Sequence, residues 1–220
     1  MLEKTRARLS REAETITGGE LIAHMLKAEG VDTVFGIIDG TYFGLYSAFP
    51  ALGIRLISPR HETCAAHMAG AYARLTGKLG VCMASNGPGV ANLLPGIAVE
   101  NAEGNRVLAI TSARREGTIG PDRGGTYQSF PQVEVTGPMT KWSVRVPSFA
   151  RLPELTRRAF RESWTGRPGV VHLDVPENIM NGGATIRKGW QRAPSQYRAT
   201  EPIIASLAQV KPPAVDQPHA

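Results

Sequence analysis

Short apolar runs rich in Val, Ile and Leu alternate along this chain with longer stretches of helical character, and each run gives way to a sharp turn of glycine or polar residues. No other feature constrains the fold as strongly. A strand buried on both faces reads as a continuous apolar run because neither face meets water, and parallel strands need crossover helices to join them. The alternation therefore predicts an α/β fold: a three-layer, doubly wound, mostly parallel sheet with helices on both faces.

The elements follow from local signals. Residues 17–29 read as the first helix, because Thr17 and Glu20 form a Thr-x-x-Glu capping box and Gly30 follows the last turn. Residues 31–37, 54–58, 79–84, 107–111 and 169–175 read as strands; residues 41–51, 63–75, the stretch after Gly89 and residues 153–165 read as helices. Residues 114–138 are rich in Gly, Pro and charge and read as a long functional loop or lid. From Met180 onward Gly, Pro, Gln and Ala dominate, as in a linker. The expected organisation is a polar tail at 1–14, one domain at 15–180 and a linker-like tail at 181–220, with no internal repeat.

Composition excludes several classes. The formal charge is +6, but Arg is scattered and no basic run is interleaved with aromatics, which argues against nucleic acid as a partner. The first fourteen residues carry both signs of charge and no apolar segment, unlike a secretory leader, and no run is long and apolar enough to span a bilayer. A soluble cytoplasmic protein is expected. Cys64 and Cys82 have no metal-type spacing, so they read as buried thiols and no metal ligand set is assigned.

Candidate chemistry lies where strands end, because ligands of open α/β sheets bind outside the carboxyl ends of the strands. Three turns stand out: Ile38-Asp39-Gly40, Arg60-His61-Glu62, and Asn86-Gly87-Pro88-Gly89. In a parallel sheet all three would open at one edge. Glycine lets backbone approach a ligand closely and proline stiffens the turn, while Glu62 places a carboxylate at a helix start. These turns alone are compatible with simple strand-to-helix connections. A dinucleotide-binding oxidoreductase is a second reading, but the turn after 31–37 lacks Gly-x-Gly-x-x-Gly.

Residues 17–178 resemble the pyrimidine-binding domain of thiamine diphosphate-dependent enzymes, and the acetolactate synthase branch in particular. The resemblance is carried, in order, by Gly18-Gly19-Glu20-Leu21, residues 29–36, Arg60-His61-Glu62 with residues 65–77, and Gly87-Pro88-Gly89-Val90-Ala91-Asn92. Tyr127-Gln128, Pro138-Met139-Thr140-Lys141 and Thr165-Gly166-Arg167-Pro168-Gly169 extend it. It implies an enzyme acting on 2-oxo acids by decarboxylation or carboligation. Glu62 is then the catalytic glutamate, which hydrogen-bonds a ring nitrogen of the cofactor's aminopyrimidine and favours its imino tautomer. Gly40, Gly87, Pro88 and Asn92 match cofactor-facing positions. Asp39, Gln128 and Lys141 match the substrate channel. His61 beside the glutamate is read as a packing group, and His67 is assigned no chemistry.

The same resemblance implies a diphosphate-binding domain or subunit supplying Mg2+, a central domain that carries FAD in some members, and a homo- or hetero-oligomer. No Gly-Asp-Gly metal motif occurs in these 220 residues, so activity is expected to need that domain in trans. Three positions depart from the family. Asp39 stands where glycine is usual, Asn86 where Ser or Thr is usual, and Pro95 falls inside an expected helix. A non-catalytic interaction or regulatory domain of the same fold is the alternative, since fold does not fix function.

Overall fold

The computed structural model describes residues 13–119 and 127–187. Strand β1 (Ala13–Thr17) runs straight into helix α1 (Gly18–Ala28), whose Thr17 cap accepts the Glu20 backbone N–H at 3.0 Å. Strand β2 (Thr33–Gly36) follows, then a 3-10 turn (Gly40–Tyr42) and two single-turn helices, α2 (Phe43–Tyr46) and α3 (Phe49–Leu52). Next come β3 (Arg55–Ile57), α4 (Glu62–Thr76), β4 (Gly80–Ala84), α5 (Pro88–Ala102) and β5 (Val107–Ala113). The chain continues through α6 (Glu116–Ile119), α7 (Gln132–Thr136), β6 (Trp142–Arg145), α8 (Leu152–Trp164), β7 (Val170–Pro176), α9 (Glu177–Met180) and β8 (Gly183–Arg187).

Six strands form one sheet in the order β3-β2-β4-β5-β7-β6, with every neighbouring pair parallel. The order makes the sheet doubly wound, since from β2 the chain moves outward to β3 and then crosses to β4 on the other side. The topological switch point therefore lies between β2 and β4, and the turns after these strands, at Ile37 and Ser85, splay apart there.

The sheet is covered on both faces, and the period of two in the strands sorts their residues between them. Val81 and Met83 join Leu108 and Ile110 in a core with Leu21, Ile22, Met25, Leu155 and Phe160 of α1 and α8. Cys82 and Ala84 join Val107 and Ala109 in a second core with Ala65, Ala66 and Ala69 of α4 and Leu93 and Ile97 of α5. Large side chains fill one face and small ones the other. A Cβ at Gly96 would stand 2.7 Å from both the Ala66 Cβ and the Thr63 carbonyl oxygen, so α4 and α5 meet closely within this chain.

Several expectations need correction. The helix expected at 41–51 is three short pieces, a 3-10 turn and two single-turn helices; tertiary partners hold the first two, since Asn181 bonds the Gly40 carbonyl and the Gly44 N–H, and a Cβ on Gly44 would lie 2.6 Å from the Met180 carbonyl oxygen. Residues 114–138, read as a long loop, contain α6, α7 and the 3-10 turn Gly137–Met139, with residues 120–126 outside the described part. β6 was not expected at all, because a four-residue, half-buried edge strand leaves little pattern. β8 falls in the segment read as linker-like and pairs antiparallel with β1, from Ala13 opposite Arg187 to Thr17 opposite Gly183. Cys82 is buried, its thiol pushed up to about 12 by desolvation, but Cys64 is exposed because the inner face of α4 is taken by alanines. Among the described residues no helix is long and apolar enough to cross a membrane, and no group of three His, Cys, Asp or Glu is placed to hold a metal.

Candidate active site

Glu62 is the first residue of α4, immediately after the His61 cap, whose Nδ1 accepts the Thr63 backbone N–H at 3.3 Å. A carboxylate there is favoured by the positive end of the helix dipole. Its Oε2 accepts a hydrogen bond from Asn92 Nδ2 at 3.0 Å, which links the first turn of α4 to the second turn of α5. A Cβ on Gly89 would come 3.5 Å from Glu62 Oε1 and 3.2 Å from the Ser85 Cβ, so only glycine leaves this space beside the carboxylate open. Glu62 is half-buried and Asn92 exposed, so the pair opens outward.

The other two turns converge at the same edge. Gly87 takes φ +67° and ψ −117°, a backbone that side chains rarely adopt, and its amide donates to Gln132 Oε1 at 2.9 Å. Gln128 lies directly against it: a Cβ on Gly87 would be 2.5 Å from the Gln128 Cα. Pro88 starts α5 and is exposed beside this turn. Asn86 is buried, with its Nδ2 lacking a partner among the described residues.

Across the switch point, Asp39 caps the 3-10 turn, accepting the Thr41 backbone N–H at 2.8 Å and the Thr41 hydroxyl at 2.5 Å. Gly40 is pinned from outside, since its carbonyl accepts from Asn181 Nδ2 at 2.9 Å while Asn181 Oδ1 accepts the Gly44 N–H at 2.8 Å. The Tyr42 hydroxyl donates to the Ile37 carbonyl, and burial followed by the nearby charges of Asp39 and Glu62 raises its pKa.

The sequence-predicted residues do not all meet. Glu62, Asn92, Gly87, Pro88, Gln128, Asp39 and Gly40 belong to turns at the carboxyl ends of β2, β3 and β4 or to what packs on them. Lys141 does not. It precedes β6 at the opposite edge of the sheet, where its N–H bonds the Val170 carbonyl and its Nζ donates to the carbonyls of Glu162, at 2.5 Å, and Thr165 at the end of α8. Its ammonium is occupied as a helix C-terminal partner, away from the turns.

Beneath the turns lies a polar network that the sequence reading missed. Asp174 is fully buried and accepts from Gln132 Nε2, Thr111 Oγ1 and Arg145 Nε, each at 2.7 Å. Burial pushes this carboxyl up, and the Arg145 guanidinium opposes the shift. Thr111 gives its only proton to Asp174, so the 2.7 Å contact to His172 requires His172 Nε2 to donate. His172 Nδ1 is then an acceptor with two hydroxyls in reach, Ser143 at 2.7 Å and Thr136 at 2.8 Å. Desolvation, helped by Arg145, lowers the imidazole to about 3, so it is neutral. The signal was present in the sequence: His172 and Asp174 interrupt an apolar strand two residues apart, hence on one face.

Comparison with known proteins fits this arrangement. The family model described as thiamine pyrophosphate enzyme, N-terminal TPP binding domain, matches residues 16–135. A catabolic acetolactate synthase from Raoultella terrigena is 36% identical over 202 residues, covering 90% of this chain and 35% of that protein. Escherichia coli (strain K12) acetolactate synthase isozyme 2 large subunit is 39% identical over 167 residues, 74% of this chain and 29% of that one. Human 2-hydroxyacyl-CoA lyase 1 is 35% identical over 173 residues, 78% and 29% respectively. The chain thus spans about a third of the length of the curated relatives it matches.

Proposed function

Since this chain belongs to the thiamine pyrophosphate enzymes through their N-terminal TPP binding domain, we propose that its turns hold the pyrimidine end of thiamine diphosphate in an enzyme acting on 2-oxo acids. One observation carries the reading: the Glu62 carboxylate stands at a helix N-terminus, oriented by Asn92 and facing the space that Gly89 leaves open. The residues fit the group. An aminopyrimidine needs a carboxyl partner for a ring nitrogen and polar groups for its edge, and Glu62, the orphaned Asn86 amide and the open first turn of α5 are that set.

When bound, thiamine diphosphate supplies the nucleophilic carbon and the electron sink. The roles of this chain are narrower. Glu62 shares a proton with the ring nitrogen, Asn92 fixes the carboxylate, and Gly40, Gly87 and Pro88 set how closely backbone approaches the ring. Gln128, beside Gly87, faces the substrate, and Asp39 lies next to the same channel with its carboxylate engaged by Thr41. Lys141 stays outside this assignment because of its place at the far edge.

The diphosphate and Mg2+ would be held by a diphosphate-binding domain or subunit, and FAD, where used, by a central domain. The outward opening at Glu62 and Asn92 supports such a partner in an oligomer. In this organisation residues 15–180 are the pyrimidine-binding domain, 1–14 a polar tail and 181–220 the run into a linker, and the assembled enzyme works in the cytoplasm. Glu62→Gln tests the assignment. In the protein assembled with a diphosphate-binding partner, the fold should persist by circular dichroism while exchange of the cofactor's C2 proton collapses; near-normal exchange would rule out Glu62.

A further inference from the structure

Gln132 follows Pro131 at the start of α7, where the chain gives it no obvious task, yet it is 1% exposed and its amide oxygen and both amide protons are engaged. Its Oε1 accepts the Gly87 N–H at 2.9 Å. Its Nε2 donates to the Ser112 carbonyl at 2.9 Å and to Asp174 Oδ1 at 2.7 Å. The partners fix the amide orientation, because the flipped form would set its NH2 against the Gly87 N–H and its oxygen against two acceptors.

Ser112 extends the connection across the switch point. Its Oγ accepts the Asn86 N–H at 3.1 Å and lies 2.6 Å from Thr41 Oγ1. Thr41 has given its proton to Asp39, so the Ser112 hydroxyl donates to Thr41. One directed chain therefore runs from Asn86 through Ser112 and Thr41 to Asp39, and a second from Gly87 through Gln132 to Asp174 and its Arg145 partner. The two turns that flank the switch point are tied to each other and to the middle of the sheet through buried groups, Asn86, Ser112, Gln132 and Asp174.

We propose that Gln132 is a positioning residue: through the Gly87 amide it sets the height of the Gly87-Pro88-Gly89 turn against Glu62 and thereby the affinity of the site for the aminopyrimidine. The inference rests on the thiamine diphosphate reading above. Gln132 touches neither cofactor nor substrate. Its effect passes through a glycine of unusual backbone whose carbonyl is held by the Ala91 N–H at 3.0 Å, while its amide is held by Gln132.

Two readouts on the assembled enzyme, with and without cofactor, test it. In the cofactor-free protein, Gln132→Met should speed hydrogen exchange at the Gly87 amide about tenfold, the order of one lost buried hydrogen bond. It should weaken apparent thiamine diphosphate binding, with magnesium present, by about tenfold or more while lowering kcat at saturating cofactor much less. Gln132→Glu separates positioning from general stability. Protonated, the new carboxyl accepts the Gly87 N–H on one oxygen and donates its single proton to Asp174 from the other, giving up only the bond to the Ser112 carbonyl; ionised, it faces Asp174 of β7 beside Arg145 of β6, with neutral His172 reached only through Thr111. Gly87 protection and cofactor affinity in Gln132→Glu should therefore both be restored at acidic pH and lost together as pH rises.

Unchanged Gly87 exchange in Gln132→Met would overturn the brace. Accelerated exchange with unaltered cofactor affinity would overturn the positioning role. If Gln132→Met does not fold, pH-independent Gly87 protection, relative to intrinsic exchange, in Gln132→Glu overturns the proposal in its place. A wild-type enzyme that binds no thiamine diphosphate brings down the functional reading and the role toward the cofactor, and is told apart because Gly87 exchange still responds to Gln132.

Discussion

Single residues in this site are held by partners from distant parts of the chain, and their substitution should read out those partners. At Gly87 a side chain faces two separate obstacles, the positive φ and a contact of 2.5 Å with the Gln128 Cα. Gly87→Ala should cost about 2–4 kcal/mol, strain and overpacking together, measured as a lowered denaturant midpoint at constant m. Asn92 presents a different case, since it is exposed and contributes through one hydrogen bond to Glu62. Asn92→Ala should leave stability within about 0.5 kcal/mol of wild type and reduce activity of the assembled enzyme about tenfold or more, because a hydrogen bond to a charged group is lost. Equal losses of stability and activity would mean that Asn92 supports the fold instead.

At the scale of elements, α5 is the least conventional helix. Pro95 sits in its interior, where it has no N–H for the Ala91 carbonyl and its ring crowds that same carbonyl. The Thr63 hydroxyl donates to the next carbonyl, Asn92, at 2.5 Å, so α4 satisfies part of the α5 backbone at this point. The two helices are therefore coupled by a side-chain-to-backbone bond as well as by packing, and the Asn92 side chain bonds Glu62, the neighbour of Thr63, at the same point. Gly96→Ala should destabilise the protein by about 1–3 kcal/mol, the range of an overpacked core, because the Ala66 Cβ and the Thr63 carbonyl oxygen both lie 2.7 Å from the new Cβ. It should also displace Glu62, seen as a loss of cofactor affinity larger than the loss of stability explains.

The whole molecule carries two groups, His172 buried and Glu29 half-buried, whose titration pulls stability in opposite directions. His172, lowered from 6.5 to about 3 by burial, takes up its proton in the unfolded chain well before it does in the folded one. Stability contributed by neutral His172 is complete above about pH 6.5 and is lost as pH falls toward 3. Glu29, raised from 4.5 to about 7 by burial although Trp164 Nε1 donates to it at 2.8 Å, behaves conversely. The unfolded chain releases this proton first, so stability falls as pH rises from 4.5 to 7 and is level above. Glu29→Gln, which keeps an acceptor for Trp164, should therefore raise the melting temperature at about pH 8 and leave it unchanged at about pH 4. His172→Asn should flatten the acid limb. A Glu29→Gln gain that is the same at both pH values would show that packing, not charge, is responsible.

The order of strands and long helices was written in the chain because it depends on local physics. Continuous apolar runs specify doubly buried strands, Thr17 with Glu20 specifies a helix start, and Gly77 a helix end. Glu62, Gly87 and Pro88 stand out in the sequence for the same reason, as they sit on turns where a strand becomes a helix, whereas Asn92 was singled out only by the family resemblance. What no local pattern records is pairing across the sheet. β6 is an edge strand that forms by bonding to β7, β8 exists because β1 lies beside it, and the first pieces of the expected 41–51 helix are docked on Asn181 and Met180. Lys141 lies apart from the turns, a position its motif does not record because the motif says nothing of which end of the sheet it reaches. Gln132, Ser112, Thr41, Asp174 and His172 acquire their connection only once four separated segments are brought together at the switch point, since a buried polar group is satisfied by whatever the fold places within hydrogen-bond reach. The sequence determined the elements and the turns that open toward a ligand; the tertiary structure alone decided which buried groups hold those turns in place.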